Sequence, residues 1–357
     1  IIASTLIPHA EHRKVKDTFT AEIGRLIRPM EELGPLVPDT TFFLKNTGSF
    51  VYAEGYWHPP GAFYGKIIDY PCAEGTFEVH GRRYERLTMR VENGTRLLVP
   101  HDVQLQMQYR VDPGLKPPPA KPVITGYHHP FELQTMQGWF CGHRSMEAAI
   151  ERYPETGRRI RELAALFDVP LERLGVTGPL AYGWEEDRAL NLVFSGTPEE
   201  NAETARKIRR LTYTDSKRRI VEYGKFWPLR LAHDGVPVCC FFVYADRGRI
   251  PVCGQGIELV REPVEAFGTV VDTLHSLYMP LVLRLGDAYL DGAPAGEIDL
   301  IIADSSLRGE FYPNERVHIT RGRLVRLSGN GASAEAIVAL DAGAIAKGRV
   351  GKGVPAF

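Results

Sequence analysis

The sequence predicts an α+β protein in three parts, a central α/β unit between two β-rich regions, and three observations carry that expectation. Residues 41–110 alternate apolar and polar positions with aromatic and β-branched content, as in "GSFVYAEGYW", "FYGKIIDY" and "RRYERLTMRV". Residues 145–168 and 197–211 instead carry helical spacing and helix-start signals. From Gly224 onward, apolar runs separated by glycine turns return to the strand pattern.

Taken in order, the opening "IIASTLIPHAEHRK" is apolar but interrupted by His9 and Glu11, which fits neither a signal peptide nor a membrane span. It lacks an initiator methionine, so the natural N-terminus is expected upstream. The first unit, residues 1–115, ends at "RVDPGLKPPPAKP", whose prolines lack amide donors and so mark a linker. In the second unit, residues 116–223, a helix over 145–168 is interrupted at Pro154 and buries Ile160, Leu163, Ala164 and Phe167 along one face. Leu190–Phe194 reads as a short strand. A helix then starts at Thr197, with Pro198 in the first position and Glu200 completing a capping box. The third unit, residues 224–330, takes its strands from "VPVCCFFVYA", "AFGTVVDTL", "EIDLIIADS" and "ERVHITRGRLVRL", and residues 331–357 read as a Gly- and Ala-rich tail.

Composition bounds the function. With 357 residues, 44% hydrophobic and 24% charged, the chain can bury the cores of two or three compact units. A formal net charge of -1 gives no global attraction to nucleic acid or acidic membrane, so such a role must rest on a local patch. The five cysteines form no CxxC and no regular spacing, which points to a reducing cytoplasm and away from a disulfide framework. No GxSxG elbow or GxxxxGK[ST] loop occurs, and "GNGASA" lacks the βαβ surroundings of a dinucleotide loop.

Four landmarks carry a family resemblance: "FVYAEGYWHPPGAFYGKIIDYP" followed by "GRRYERL", then "GVTGPLAYG", then "LNLVFSG", and finally "GTVVDTLHSLYMP" with "NERVHITRGRLVRL". Over residues 42–327 the chain resembles archaeal and bacterial proteins that hold a nucleotidyltransferase domain of the DNA polymerase beta superfamily between two β-rich regions. The resemblance implies a Gly-Ser turn that holds a triphosphate and an Asp-x-Asp strand that holds two magnesium ions for in-line displacement. Here the glycine is Gly178, preceded by Thr177, and the serine position is Pro179, which has neither hydroxyl nor amide hydrogen. The two acidic positions fall on Ala189 and Asn191. Magnesium requires hard oxygen ligands, so the expectation is a family scaffold without metal-dependent catalysis and with no cofactor.

The resemblance then implies a nucleotide- or nucleic-acid-binding role, with Thr177, Gly178, Asn191 and the basic run Arg206, Lys207, Arg209 and Arg210 as binding residues. Lys217, Arg218 and Arg219 extend that run; a solvated helix face is the plainer account of it. An active alternative uses magnesium held by Asp187 with Glu185 or Glu186, brought in by a shifted strand. A further alternative is a structural or protein-interaction module. Trp57, His58 and Tyr64 can form a stacking surface or simply pack on a sheet. Cys141, His143, His128 and His129 are metal-binding types at a spacing that matches no familiar zinc site. "GEIDLII" reads as an ordinary alternating strand. No membrane partner is expected.

Overall fold

The computed structural model describes residues 9–348 except 93–94, 116, 118–121, 126–127, 186–188, 223 and 330–331. The N-terminal region holds α1 (His9–Leu26), β1 (Ile27–Arg28), β2 (Phe42–Lys45), β3 (Phe50–Ala53), β4 (Ala62–Pro71), β5 (Phe77–Val79), β6 (Arg82–Arg86), a separate hairpin of β7 (Met89–Glu92) and β8 (Thr95–Leu98), α2 (His101–Val111), β9 (His129–Glu132) and β10 (Met136–Phe140). Its main sheet runs β1-β10-β2-β3-β4-β6-β5, with β9 also on β4. Both faces are covered. Phe42, Leu44 and Phe50 pack with Tyr84 and Tyr182 on one side, while Phe43, Val51, Phe63 and Phe131 form a second cluster.

Helix α2 departs from the β expectation for this region. Its sequence "HDVQLQMQYRV" alternates apolar and polar residues as a strand does, yet the buried positions are Gln104 and Gln108, four apart on one helical face. Gln108 Oε1 accepts from the Ile67 amide at 3.0 Å and Gln104 Nε2 donates to the Val99 carbonyl at 2.6 Å. The glutamines satisfy backbone groups that the sheet leaves open, and that tertiary demand outweighs the local period.

The central unit contains α3 (Gly142–Arg152), α4 (Pro154–Phe167), β11 (Leu174–Val176), β12 (Leu190–Gly196), α5 (Pro198–Thr214), β13 (Arg219–Glu222), β14 (Lys225–His233) and β15 (Val236–Tyr244). As expected, Ile160, Leu163, Ala164 and Phe167 are buried in α4, and α5 starts with the complete Thr197–Glu200 capping box. The sheet order is β11-β12-β15-β14-β13, with β12 and β15 parallel. Leu190, Leu192 and Phe194 of β12, with Val238, Cys240 and Phe242 of β15, pack with the three helices in one core. Residues 225–244, expected to open the third unit, therefore complete the central sheet instead. Alternation fixes a strand's faces but not which neighbour it pairs with.

The C-terminal unit is a barrel of β16 (Gly256–His275), β17 (Leu281–Leu290), β18 (Ala293–Ile302), β19 (Arg316–Gly329), β20 (Ala332–Ala339) and β21 (Ile345–Gly348). The order β16-β17-β18-β20-β19 closes by β19 pairing back onto β16, with β18 and β20 parallel. That connectivity is the Greek-key order of an OB-type barrel, and closure leaves no edge among these five strands. Val270, Leu283, Leu285, Leu300, Ile319 and Ile337 fill the interior. Residues 332–348, read from sequence as part of a tail, supply the fifth strand and β21. Their small side chains gave little hydrophobic signal, but Ala336, Ile337, Val338 and Ala339 are fully buried. "GEIDLII" lies in β18 as an alternating barrel strand. Among the described residues no helix is long and apolar enough to cross a membrane.

Candidate functional site

The glycine turn sits between β11 and β12. Thr177 donates its amide to the Asn191 carbonyl at 3.1 Å and its hydroxyl to the Thr40 carbonyl at 2.7 Å. Gly178 has φ +69°, and a Cβ there would collide with the Asn191 amide, so only glycine fits. Gly178–Tyr182 then form a 3-10 turn with Pro179 in its first residues. Asn191 points away from the helix-covered core, and the parallel register sets Cys239 of β15 beside it. Burial pushes the Cys239 thiol up, which keeps it protonated. Ala189, Asn191 and Cys239 thus bring together no carboxylate. Among the described residues no group of three or more His, Cys, Asp or Glu is placed to hold a metal ion.

Glu185 accepts a hydrogen bond from the Thr156 hydroxyl. It lines a cavity of about 270 Å³ with Arg159, Leu180 and Ala189. Glu186 and Asp187 lie outside the described residues.

The basic run does not converge on Gly178. Arg206 pairs with Glu203 on the exposed face of α5. Lys207 Nζ donates to the Phe167 carbonyl at 2.8 Å, capping the end of α4. Arg209 reaches the barrel region, donating to the Gly309 carbonyl at 2.6 Å and lying over the Tyr312 ring. Arg219 caps the end of α5 through the carbonyls of Thr212 and Tyr213, and Arg218 pairs with Asp215. Arg210 and Lys217 are exposed.

The face of the central sheet at Phe241 is covered by a buried ion pair. Arg308 lies 5.7 Å over the Phe241 ring and donates to Asp39 at 2.9 Å. Burial raises the Asp39 carboxyl, but Arg308 and the amides of Gly55 and Thr40 all donate to it and favour its ionised form. Close by, Glu54 accepts from His128 Nε2, and His128 Nδ1 meets the Thr125 hydroxyl at 2.6 Å. Burial and the neighbouring Lys66 hold His128 below the usual histidine range, with Glu54 at one ring nitrogen and the threonine at the other.

The remaining candidates scatter. Trp57 stacks on Tyr64 with ring centroids 5.6 Å apart, and His58 Nδ1 accepts from the Tyr64 amide, so this trio packs on its own sheet. His129 meets the Tyr109 hydroxyl, His143 meets the Leu174 carbonyl, and Cys141 is the N-cap residue of α3.

A crevice of about 610 Å³ opens at the carboxyl ends of β12 and β15, between residues 247–255 and the outer face of the barrel. Arg247 and Arg249 line one wall; Asp272, His275, Arg284 and Asp299 line the other. Tyr244 and Tyr278 stack beside it at 3.6 Å, with Tyr244 Oη 2.9 Å from His275 Nδ1. Asn201, in the first turns of α5, fixes this corner by donating to Tyr278 Oη and the Val243 carbonyl, each at 2.9 Å. Sequence reading singled out none of the arginines in this crevice. They come from a turn and one barrel strand far apart in the chain, and only the run "DRGR" carried a local signal.

No family model, curated protein sequence or solved structure matches this chain.

Proposed function

We propose that the protein is a nucleic-acid-binding relative of the nucleotidyltransferases that has lost metal-dependent transfer. The observation that carries the reading is the pairing of the Gly178 turn with Asn191 and Cys239, which resembles the family's turn and strands with no carboxylate among them. In-line phosphoryl displacement on two metal ions needs those carboxylates. The order α4, β11, glycine turn, β12, α5 and a third strand parallel to β12 supports the same resemblance. The closed position of Thr177 and Gly178 argues against a nucleotide bound at the turn. The crevice at the carboxyl ends of β12 and β15 favours binding there, since α/β sheets present their ligand crevices at that end. OB-type barrels bind oligonucleotides or oligosaccharides on their outer faces, which supports a polymeric ligand. All five cysteines are free, in keeping with a cytoplasmic setting.

The test is a pair of assays on the whole chain: transfer from radiolabelled ATP, GTP, CTP and UTP with magnesium, and retention of labelled nucleic acid. We expect retention without transfer. Magnesium-dependent transfer abolished by Asp187→Ala would instead establish the active alternative, which the Glu185 cavity beside Ala189 favours.

A further inference from the structure

We propose that single-stranded nucleic acid lies along the outer face of the barrel, running from the arginine crevice to a row of aromatic rings formed by the exposed Tyr289 and Phe267 and the half-buried His318. This rests on the nucleic-acid reading and assigns it a surface.

The row is built by strand register. Phe267 of β16 stands opposite Tyr289 of β17 on one side and His318 of β19 on the other. Their neighbours Ala266, Ala288, Val317 and Ile319 point into the barrel, so the three rings share the outer face. Phe267 is 44% and Tyr289 47% exposed, and Val271 on the same face is 49% exposed. The Phe267 and His318 rings stack at 3.9 Å with planes 10° apart, and Glu265 holds His318 Nε2 at 2.6 Å. The platform is therefore held in place before a ligand arrives, which lowers the entropy lost on binding. Water-exposed aromatic surface arranged in this way offers its free ring faces to other flat groups.

The crevice lies on the same face. Asp272 of β16 is in register with Arg284 of β17, and both line it. Five residues separate Asp272 from Phe267, roughly 17 Å along a strand, so cations at one end and rings at the other suit a few nucleotides of an extended strand.

Charge decides the kind of binding. Arg284 is engaged by Asp299 and Glu297, Arg249 by Glu199 and Arg261 by Asp291. Arg247 makes no ion pair among the described residues, and Asp272 and Asp287 add negative charge. Phosphate neutralisation is thus limited to about two contacts, giving a log–log salt slope near -1.4 for a single strand. Stacking must supply most of the affinity. A duplex hides its base faces, so single strands are preferred, with little dependence on sequence.

The experiment is fluorescence anisotropy of labelled dT12, rU12 and a 12-base-pair duplex with the whole chain, in 50 to 200 mM salt. The expected result is single-strand binding with a shallow salt slope, weakened about tenfold or more by the Phe267→Ala/Tyr289→Ala double variant. Arg247→Ala is expected to weaken it a few-fold and reduce the slope by about 0.7. Thermal unfolding of the variants checks that their folds are intact, and Tyr289→Ala alone repeats the test at one exposed position. Single-strand binding untouched by these variants, or a duplex bound as tightly, overturns the track and leaves the nucleic-acid reading standing. Absence of binding to any oligonucleotide overturns both, as does binding only to a neutral oligosaccharide that the same substitutions abolish.

Discussion

Two places on the central sheet differ in one respect, which is what covers them. At the start of β12, Thr177 and Gly178 lie under residues 39–41 of the N-terminal region, and the Asp39–Arg308 pair seals the neighbouring face over Phe241. At the other end of the same strand, Arg249 and His275 border an open crevice. Arginine serves both places. Buried and paired, it fastens three regions of the chain together; at a mouth about 610 Å³ in volume, Arg247 makes no ion pair among the described residues. Access here follows from the flanking units and not from the sheet.

The sharpest way to break this contrast is Arg308→Ala. It leaves Asp39 buried without its partner, and removing one partner of a buried pair costs about 3–5 kcal/mol. Urea unfolding should show that loss, and a loss under 1 kcal/mol would mean that the covering region is not fastened by this pair.

The covering region also sets a pH dependence. Burial holds His58 and His129 down to about 4 from an ordinary 6.5. The unfolded chain therefore takes up these protons first as pH falls. Stability is flat above pH 6.5 and declines between 6.5 and 4 by about 1.4 kcal/mol per pH unit for each histidine. Unfolding midpoints at pH 7, 6 and 5 measure the slope, and His129→Phe should lower it by about 1.4 kcal/mol per pH unit. A pH-independent midpoint across that window contradicts buried neutral rings.

Gly178→Ala tests the closed turn more gently. A left-handed backbone and the collision with Asn191 together predict a loss of about 2 kcal/mol, read by thermal unfolding. A neutral result would show that the turn has room. At the open crevice the smallest effect is expected: Arg249→Ala removes only an exposed pair with Glu199 and should leave the unfolding midpoint unchanged. A clear drop there would make the crevice a structural seam.

Helices were the most legible part of the sequence, because capping and burial at spacing 3–4 are local: Thr197 with Glu200 and the Ile160–Phe167 stripe read directly from neighbouring residues. The alternation in α2 misled, since its buried residues are glutamines serving a distant backbone. At the site, Gly178, Pro179, Ala189 and Asn191 were readable because they lie together in one short turn-and-strand stretch. Cys239 beside Asn191 was not, for the parallel pairing of β12 with β15 crosses a helix and a hairpin.

By itself, then, the sequence determined the local periods and the helix starts, which depend on residues a few positions apart. Only the tertiary structure decided that residues 225–244 complete the central sheet and that residues 332–339 close the barrel. It also decided that Arg209 would be spent on a carbonyl, and that Phe267, Tyr289 and His318 would stand in one row. Strand pairing, burial of charge and exposure of rings depend on which distant segments meet, and no local pattern encodes that.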